Sequence, residues 1–484
     1  MDKKNPTKPR PSKPTQAKEN GTWDVAVIGA GSAGFSAAIA AGELGARVAI
    51  FGAGTIGGTC VNVGCVPSKT LIRAMEALRL AKTAPRFGGI RAAAELEDWA
   101  AVVKMKDELV SRLRKAKYED LLPSSDQLAY FEGPAGIAEG GVSFNGGLVR
   151  AAKVIVATGA SPALPDIQGF QGISSLTSTT ALELTELPKS LLVIGGGYIG
   201  CELAQVFARA GVKVTLVCRT RLLPASEPEI SQALTQCFRD EGIVVGDGLA
   251  YRHIRQEEGG IVLSVDKGDS MVEFAAEKVL AATGRSANTG GLGLEEAGIE
   301  LLPNGGIRVD DGMQTSRRGV YAAGDVTGGD QFVYMAAYGA KLAAENALNG
   351  DLRRYDNSAM PWVVFTDPQV AGVGLSEQAA KVKGFEVRIS VLPLEYVPRA
   401  LAARDTRGLI KLVAEVGADK LLGAQIMAAE GADSIQTAAL AIKHSLTVKD
   451  LAETIFPYLT TVEGFKLAAQ TFDKDVAKLP CCAG

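Results

Sequence analysis

The residues best suited to chemistry are two cysteines, Cys60 and Cys65, in the stretch GGTCVNVGCVPSKT at residues 57–70. They lie five positions apart in glycine-rich sequence that leads into a helical pattern over residues 69–81. In a chain with seven cysteines, such a pair is either a redox dithiol or a chance pairing. If it is a redox dithiol, other elements must bring it electrons and a substrate.

Length and composition limit the class of protein. A chain of 484 residues is too long for one core, so two or three domains are expected. A net charge of −3 argues against a broad nucleic-acid-binding surface. No apolar run reaches the roughly 18 residues that a membrane span needs, so no stable membrane insertion is expected.

Residues 1–22 are rich in Lys and Pro and predict a disordered tail, with an interaction arm or the remnant of a linker as alternatives. The tail lacks the apolar segment of roughly 7–15 residues that a secretory signal requires. An odd number of cysteines without a short disulfide framework fits a reducing, cytoplasmic location.

A dinucleotide-binding pattern opens the folded part of the chain. DVAVIG leads into GAGSAG, an Ala-rich helix follows, and ARVAIF predicts the next strand. Such glycines permit a tight turn, so that the start of the helix faces a pyrophosphate. The acid expected at the end of the second strand is missing, because Gly52 stands there and Glu43 is poorly placed to substitute. The first nucleotide is therefore expected to be held less tightly at its ribose.

A second strand–helix–strand pattern lies between two similar segments, KVIVATGA and KVLAATGR. It contains GGGYIG, and two dinucleotide folds in one chain imply two nucleotides with electron transfer between them. Its second strand ends in CRTR instead of an acid. Arg219 and Arg221 could pair with a 2′-phosphate that an acid would repel, which favours NADPH over NADH.

Three further stretches complete the organisation of the chain. Residues 96–122 put Trp99, Val102, Leu109 and Leu113 at helical spacing and predict a helix packed on the surface. A short strand then delivers Asp325 to a helix start, where an acid can bind a nucleotide hydroxyl or cap the helix; the two nucleotide folds favour the first role. From about residue 361, strands alternate with helices without a phosphate loop, which predicts an α+β domain available for dimer contacts.

GGTCVNVGCVPSK resembles the redox-disulfide segment of the flavoprotein disulfide reductases, the family of glutathione reductase and dihydrolipoamide dehydrogenase. Both nucleotide patterns, the ATG segments and AAGD follow in that family's order, over about residues 23–475. FTDPQVAGVG, VPRALAARDTRG, FPYLTTVEGFKLAAQTFDKDV and the terminal CCAG are similar to its mercuric reductase branch. That branch commonly carries an N-terminal metal-binding domain with a CxxC pair, but no cysteine precedes Cys60 here.

The resemblance implies an α/β fold class with two Rossmann-like nucleotide-binding domains, for FAD and NADPH, and a C-terminal α+β dimerisation domain. It also implies a homodimer whose active sites are shared between subunits. The implied domains are an FAD-binding domain in two parts (23–160 and 288–357), an NADPH-binding domain (161–287), a dimerisation domain (358–475) and a Cys-Cys tail (476–484).

One departure from the general family favours metal reduction. General members carry a His–Glu pair near the C-terminus, but here Tyr458 stands where that histidine is expected, and Glu463 follows. The only histidines, His253 and His444, lie elsewhere. Dithiol–disulfide catalysis therefore lacks its general acid/base, and a tyrosine with a pKa of about 10 replaces it poorly.

A terminal thiol pair supplies what Hg(II) needs instead. This soft metal prefers thiolates, and Cys481 and Cys482 lie next to each other near the chain end. Adjacent cysteines form only a strained disulfide ring, so both tend to remain thiols.

The resemblance implies that electrons pass from NADPH through FAD to the Cys60–Cys65 disulfide and on to Hg(II), which leaves as Hg(0). Cys65 is expected against the flavin as a charge-transfer thiolate and Cys60 as the exchanging thiol. A helix start and Lys69, which is expected to pair with Glu202, lower the thiolate's pKa. The partner subunit's tail thiols are expected to take Hg(II) from small thiol carriers and pass it to the inner pair.

Two alternatives remain open: a general disulfide or dihydrolipoamide-type reductase, and a metal-sequestering or redox-sensing flavoprotein without turnover. Tyr198 and Tyr458 could also be plain packing residues, and the remaining three cysteines are expected in the core or on the surface. The expected catalytic residues are Cys60, Cys65, Lys69, Tyr198, Glu202, Tyr458, Cys481 and Cys482, with Hg(II) as substrate on the four cysteines Cys60, Cys65, Cys481 and Cys482. The expected cofactor contacts are Gly29, Gly31, Ser32, Ala33, Gly34, Gly58, Thr59, Lys69, Thr158, Gly159, Gly195, Gly197, Tyr198, Ile199, Arg219, Arg221, Gly284, Arg285, Gly324, Asp325 and Val333.

Overall fold

The computed structural model describes residues 22–124 and 127–475, which form two units. The first unit combines residues 22–62, 111–161 and 286–355, and the second combines residues 63–110, 162–285 and 356–475. The Lys/Pro-rich tail up to residue 21 and the tail with Cys481 and Cys482 lie outside the described residues. The domain boundaries given above stay predictions.

The strands of the described residues are numbered in chain order. They are β1 Trp23–Ile28, β2 Val48–Gly52, β3 Leu128–Glu132, β4 Ala135–Ala138, β5 Gly141–Phe144, β6 Gly147–Val156, β7 Ala160–Pro162, β8 Ser175–Thr177, β9 Ser190–Ile194, β10 Lys213–Val217, β11 Val244–Gly246, β12 Ala250–Glu257, β13 Gly260–Lys267, β14 Ser270–Ala276, β15 Lys278–Ala281, β16 Arg285–Ala287, β17 Val320–Ala322, β18 Trp362–Val364, β19 Gln369–Gly374, β20 Val387–Pro393, β21 Leu409–Glu415 and β22 Leu421–Ala428.

The α-helices of the same residues are numbered likewise. They are α1 Ser32–Glu43, α2 Gly58–Asn62, α3 Cys65–Thr83, α4 Trp99–Lys117, α5 Ser178–Ala181, α6 Tyr198–Arg209, α7 Pro228–Asp240, α8 Val333–Asn349, α9 Glu377–Val382, α10 Pro398–Ala403, α11 Gly431–Lys443, α12 Val448–Glu453 and α13 Glu463–Gln470. Over the part of the chain that is described, none of them has both the length and the apolar character that a membrane crossing requires.

The first unit is built on a parallel sheet in the order β3-β2-β1-β6-β17, and the β4–β5 hairpin extends β6 on its antiparallel side. Successive residues of a strand face opposite sides of a sheet. Val25 and Val27 therefore join the core that α1 and α8 cover, while Ala26 and Ile28 join the core on the other face. Both faces are covered, so β1 and β2 are apolar along most of their length, as parallel strands usually are.

The second unit contains three sheets. A parallel sheet runs in the order β11-β10-β9-β15-β8, and β12-β13-β14 form an antiparallel sheet. A further antiparallel sheet has the order β18-β19-β22-β21-β20. The α/β class is thereby confirmed, with one parallel nucleotide-binding type of sheet in each unit and an antiparallel sheet toward the C-terminus.

Residues 63–110 pack within the second unit. On α3, Leu71 and Met75 are almost fully buried and join the core that includes Leu203 and Phe207 of α6. The Trp99 indole nitrogen donates a hydrogen bond to the Leu184 carbonyl at 2.7 Å. Helix α3, which begins at Cys65, is therefore anchored on α6 in the second unit.

The buried face of α4 differs from the predicted one. The structure buries Trp99, Val103, Lys106 and Val110, a stripe rotated from the apolar positions chosen in the sequence. Lysine is tolerated there because its Nζ donates a hydrogen bond to the Leu182 carbonyl at 2.9 Å. A buried ammonium group with a hydrogen-bond partner costs less free energy than an unpaired one, so a lysine can occupy a position that the apolar pattern assigned to the exposed face.

A buried lysine also lies at the centre of the C-terminal sheet. Lys411 on β21 is 1% exposed, and its Nζ donates to Glu227 at 3.0 Å, Glu229 at 3.0 Å and Glu377 at 2.9 Å. Burial alone would lower the pKa of Lys411, but the hydrogen bonds to the three carboxylates outweigh it and hold that pKa above its usual value. The ammonium group thus joins the start of α7 to the C-terminal sheet.

Replacing Lys411 by Met should destabilise the protein strongly. The change keeps a long apolar stem but leaves three clustered carboxylates, one of them buried, without their cation. Breaking a buried ion pair on one side costs about 3–5 kcal/mol of the free energy of unfolding. Urea unfolding followed by circular dichroism would measure it.

Lys449→Met is the matched control, because among the described residues the ammonium group of Lys449 forms an ion pair only with the exposed Glu453, at 3.8 Å. Its free energy of unfolding should change by less than about 0.5 kcal/mol. Equal effects of the two substitutions would contradict a structural role for the buried lysine.

Candidate active site

The two cysteines of the motif lie on two successive helices. Cys60 is in the short helix α2, and Cys65 is the first residue of α3, so the helix begins earlier than the predicted residue 69. Both thiols are half-buried. Gly64 precedes α3 and makes no side-chain cap, so the positive end of the helix dipole lies at Cys65. A helix start of this kind favours a thiolate over a thiol.

Helix α2 is fastened to the first glycine-rich turn. Gly58 has φ +62°, and a Cβ there would lie 2.7 Å from the Gly31 Cα, so only glycine allows this approach. The Asn62 amide donates to the carbonyls of Ile56 at 2.9 Å and Gly58 at 2.8 Å, and it accepts from Arg114 at 3.1 Å. Cys60 is therefore held on a short helix whose backbone is fixed at both ends.

The first glycine-rich turn has the geometry of a phosphate cradle. A Cβ at Gly29 would lie 2.1 Å from the Ala157 carbonyl oxygen, and one at Gly34 would lie 1.9 Å from the Gly29 oxygen. Between them, Gly31 has open space on the side where a Cβ would project, with Gly58 Cα nearest at 3.6 Å. Helix α1 begins at Ser32 without a side-chain cap, so its first amides can receive an anion.

Other expected contacts follow the carboxyl ends of neighbouring strands. Thr158 and Gly159 come after β6, and Gly324 and Asp325 come after β17, which pairs in parallel with β6. Carboxyl ends of parallel strands meet at one edge of a sheet, where nucleotides bind. Val333 is the first residue of α8, a second helix that starts without a side-chain cap.

Two of these side chains already have protein partners. Thr158 donates its hydroxyl to the Asn288 carbonyl at 2.7 Å. The Ser32 hydroxyl lies 3.2 Å from the Tyr118 hydroxyl, whose ring contacts Phe35 edge-on. Tyr118 was not singled out in the sequence, because its contact spans 86 positions and carries no local motif.

The second unit repeats the cradle. A Cβ at Gly195 would lie 2.3 Å from the Ala282 oxygen, and one at Gly200 would lie 1.9 Å from the Gly195 oxygen. No described heavy atom comes within 4 Å of the Cβ position at Gly197. Helix α6 begins at Tyr198 without a side-chain cap, with Ile199 half-buried behind it. Gly284, with φ +117°, and Arg285 follow β15 at the same edge.

The two arginines after β10 have different environments. Arg219 is exposed. Arg221 is half-buried, and its Nη2 donates to the carbonyls of Pro224 at 3.0 Å and Ser226 at 2.8 Å. Arg221 therefore fixes the loop after β10, whereas the Arg219 guanidinium is accessible to a ligand.

A buried carboxylate fixes Lys69. The Lys69 Nζ donates to Glu202 Oε2 at 2.7 Å, which is the contact that the family resemblance implies, and Glu202 is only 5% exposed. The second oxygen, Oε1, accepts from the Phe365 backbone amide at 2.9 Å. The Lys69 ammonium also lies 4.8 Å from the centroid of the Phe365 ring, a cation–π contact.

The two tyrosines of interest are placed differently. Tyr198 stacks on Trp362 with ring centroids 5.6 Å apart, and burial raises the pKa of Tyr198 to about 12, so it is neutral at physiological pH. Tyr458 is 47% exposed. The next residue, Leu459, donates its amide to Glu463 Oε2 at 3.2 Å, and Glu463 is 8% exposed.

The remaining described cysteines are structural, as expected. Cys201, Cys218 and Cys237 are buried, and burial raises the pKa of each thiol, to about 11 for Cys218 and Cys237. The histidines do not join the site: His253 lies on β12 within 3.4 Å of Arg255, and His444 is the exposed C-cap of α11.

Comparison with known proteins identifies the family. Residues 23–344 match the pyridine nucleotide-disulphide oxidoreductase family, and residues 360–469 match the dimerisation domain of the same family. A mercuric reductase of Lysinibacillus sphaericus is 46% identical over 96% of this chain and 85% of its own. A mercuric reductase of Streptomyces lividans is 47% identical over 96% of this chain and 98% of its own.

The fold agrees with a solved flavoprotein. The Cu(II) complex of the HOCl-induced flavoprotein disulfide reductase RclA from Escherichia coli superposes with a TM-score of 0.82, at 27% identity, over 93% of this chain and 100% of that one. The two glycine cradles with uncapped helix starts fit the pyrophosphates of two dinucleotides, one in each unit. The chain belongs to the pyridine nucleotide-disulphide oxidoreductase family and, within it, to the mercuric reductases, which are FAD-dependent oxidoreductases that use a nicotinamide nucleotide.

Proposed function

We propose that this enzyme reduces Hg(II) to Hg(0) and thereby detoxifies mercury, as the names of its relatives say of them. The observation that carries the proposal is the loop before α13. It presents a half-exposed Tyr458 next to the buried Glu463, where a thiol-exchanging enzyme would need a histidine. The chain's two histidines lie on other elements, so proton shuttling to a disulfide substrate has no imidazole to support it.

The residues of each unit fit one cofactor. In the first unit, FAD would be held by the Gly29–Gly34 turn with α1, by Gly58 and Thr59, by Thr158 and Gly159, and by Gly324, Asp325 and Val333. In the second unit, the nicotinamide nucleotide would be held by the Gly195–Gly200 turn with Tyr198 and Ile199, by Arg219, and by Gly284 and Arg285. When bound, the two cofactors supply the electron pair that the reduction of Hg(II) consumes.

We assign NADPH as the preferred nucleotide. The proposal rests on the exposed Arg219 after β10, because a guanidinium can pair with the 2′-phosphate that distinguishes NADPH from NADH. Arg221 supports the same loop through its two backbone carbonyl contacts. In this proposal Arg219 contacts the phosphate and Arg221 keeps the loop in place.

Cys60 and Cys65 serve as the inner ligands of the metal. As thiolates they match the softness of Hg(II), and binding to the metal releases the thiol protons. The uncapped start of α3 stabilises the negative charge on Cys65. Lys69 positions this helix through its contact with Glu202, and two electrons delivered to the bound Hg(II) yield Hg(0) and return both sulfurs as thiolates.

Cys481 and Cys482 of the partner subunit serve as the outer ligands. Hg(II) arrives bound to small thiols, and each transfer step forms one Hg–S bond as another breaks, so no electrons are exchanged until the metal reaches the inner pair. The match of residues 360–469 to a dimerisation domain supports a homodimer with shared sites. A cytoplasmic location fits this chemistry, since a reducing compartment keeps the four thiols available.

The purified enzyme should oxidise NADPH only when Hg(II) is added, in the presence of excess small thiol, and should release volatile mercury. The loss of NADPH absorbance would follow the oxidation, and mercury vapour detection would follow the release of Hg(0). Strong turnover of lipoamide without mercury would instead indicate a general disulfide reductase. A flavin that NADPH cannot reduce would indicate a metal-sequestering protein.

The double variant Cys481→Ala/Cys482→Ala should lose Hg(II) turnover mainly when small thiol is scarce. Without the outer ligands the metal must reach the inner pair unaided, and we expect a loss of at least about tenfold, or about 1.4 kcal/mol of barrier. Steady-state rates at low and high thiol would show it. Cys237→Ala, which removes a buried thiol outside the pairs, should behave as the unaltered enzyme. Unchanged turnover of the double variant at low thiol would rule out the transfer route.

Arg219→Ala should raise the KM for NADPH by about tenfold and leave the KM for NADH unchanged, because only NADPH carries the phosphate. Arg221→Ala is the comparison, since its contacts are with the loop's own carbonyls and its loss should affect both nucleotides alike. Equal losses for both nucleotides in Arg219→Ala would refute the proposed phosphate contact.

A further inference from the structure

The end of β2 lacks the side chain that nucleotide-binding folds of this kind place there. An acid at this position ordinarily accepts a hydrogen bond from a ribose hydroxyl, but β2 ends at Gly52. A Cβ built on Gly52 would lie 2.6 Å from the Tyr130 hydroxyl oxygen and 2.7 Å from the Ala30 Cβ. The space in which an acidic side chain would begin is therefore filled, and the group nearest to it is a phenol hydroxyl.

The register of the sheet explains how Tyr130 reaches this place. Tyr130 lies on β3 opposite Ile50, and Gly52 lies opposite Glu132. Ile50 and Gly52 are on the same face of β2, about 6.6 Å apart along the strand. A tyrosine ring with its hydroxyl is long enough to cover that distance, so the side chain of one strand can end beside the backbone of the next. Gly52 leaves the room that this requires.

The chemistry of the hydroxyl suits a ribose. Within residues 22–124 and 127–475 the Tyr130 hydroxyl makes no hydrogen bond, although its ring packs on the core beneath α1. Burial, together with the charge of Glu132, raises the pKa of Tyr130, so the group stays protonated. A neutral phenol can donate one hydrogen bond and accept others, which matches a ribose hydroxyl.

The Tyr130 hydroxyl also lies close to the first glycine-rich turn, as a ribose-binding group should. Ala30, the other neighbour of Gly52, lies between Gly29 and Gly31 of the first glycine-rich turn. The Tyr130 hydroxyl therefore lies at the same edge of the sheet as the turn that would hold the FAD pyrophosphate. In a Rossmann fold the adenosine ribose is bound next to that turn, at the end of the second strand.

We propose that Tyr130 replaces the missing acid and that its hydroxyl binds the 2′-hydroxyl of the adenosine ribose of FAD. The inference concerns cofactor binding and does not depend on Hg(II) reduction. It also explains why position 52 is a glycine, because the Cβ of any larger residue there would displace the Tyr130 hydroxyl. The site would hold FAD through a neutral hydrogen bond in place of a charge-assisted one.

The test is a titration of apoprotein with FAD, followed by flavin fluorescence. Tyr130→Phe keeps the ring and removes only the hydroxyl, and the loss of one hydrogen bond should raise the Kd for FAD by about five- to tenfold. An FAD analogue whose adenosine lacks the 2′-hydroxyl should bind the unaltered protein and Tyr130→Phe equally. Thermal unfolding of both apoproteins would show that the variant is folded.

Tyr251→Phe is the matched control. It removes a tyrosine hydroxyl in the second unit, where it donates to the Val217 carbonyl, and should leave the Kd for FAD unchanged. An unchanged Kd in Tyr130→Phe would overturn the proposal. A loss of the same size with FAD and with the 2′-deoxy analogue, or in Tyr251→Phe, would overturn it as well. Because no mercury is added, these results are independent of the proposed reaction.

Discussion

The second unit depends on one buried carboxylate. Glu202 lies on the helix of the second glycine-rich turn, and its two oxygens accept from Lys69, on the helix that starts at Cys65, and from the Phe365 amide, just after β18. Three segments distant in sequence are thus fixed to one side chain. A buried charge is tolerated only when its partners are complete, so the three segments must take up their positions together. Lys69 acts in this way as a positioning residue for the cysteine helix.

Steric demand on glycine is the second constraint, and it appears twice. In each unit the first glycine of the turn passes close to a carbonyl of the neighbouring strand, and the third packs on the first. The middle glycine leaves open space at an uncapped helix start. The same backbone solution therefore creates two anion sites, and the side chains around them distinguish their ligands: Arg219 in the second unit and, in our proposal, Tyr130 in the first.

Local patterns allowed much of this to be predicted from the sequence. Glycine spacing, apolar strands and the CxxxxC segment predicted both glycine-rich turns and a helix after the cysteines, because each depends on residues close together in the chain; only the start of that helix was placed four residues too late. The buried face of α4 was not predictable, since Lys106 is buried only through a carbonyl contributed by another segment. Tyr130 was missed for a similar reason: its role follows from the register between β2 and β3, which no local motif encodes. The packing of residues 63–110 in the second unit likewise depends on contacts distant in sequence.

The three buried thiols of the second unit have a consequence for an enzyme whose proposed substrate binds sulfur. Cys201, Cys218 and Cys237 are buried, and burial keeps them protonated. Hg(II) reacts with thiolates, so these side chains become targets only when the surrounding core opens. Resistance of the enzyme to its proposed substrate is thereby tied to the folding stability of that unit. Inactivation by excess metal would therefore depend on how tightly this core is packed as well as on the chemistry of the active site.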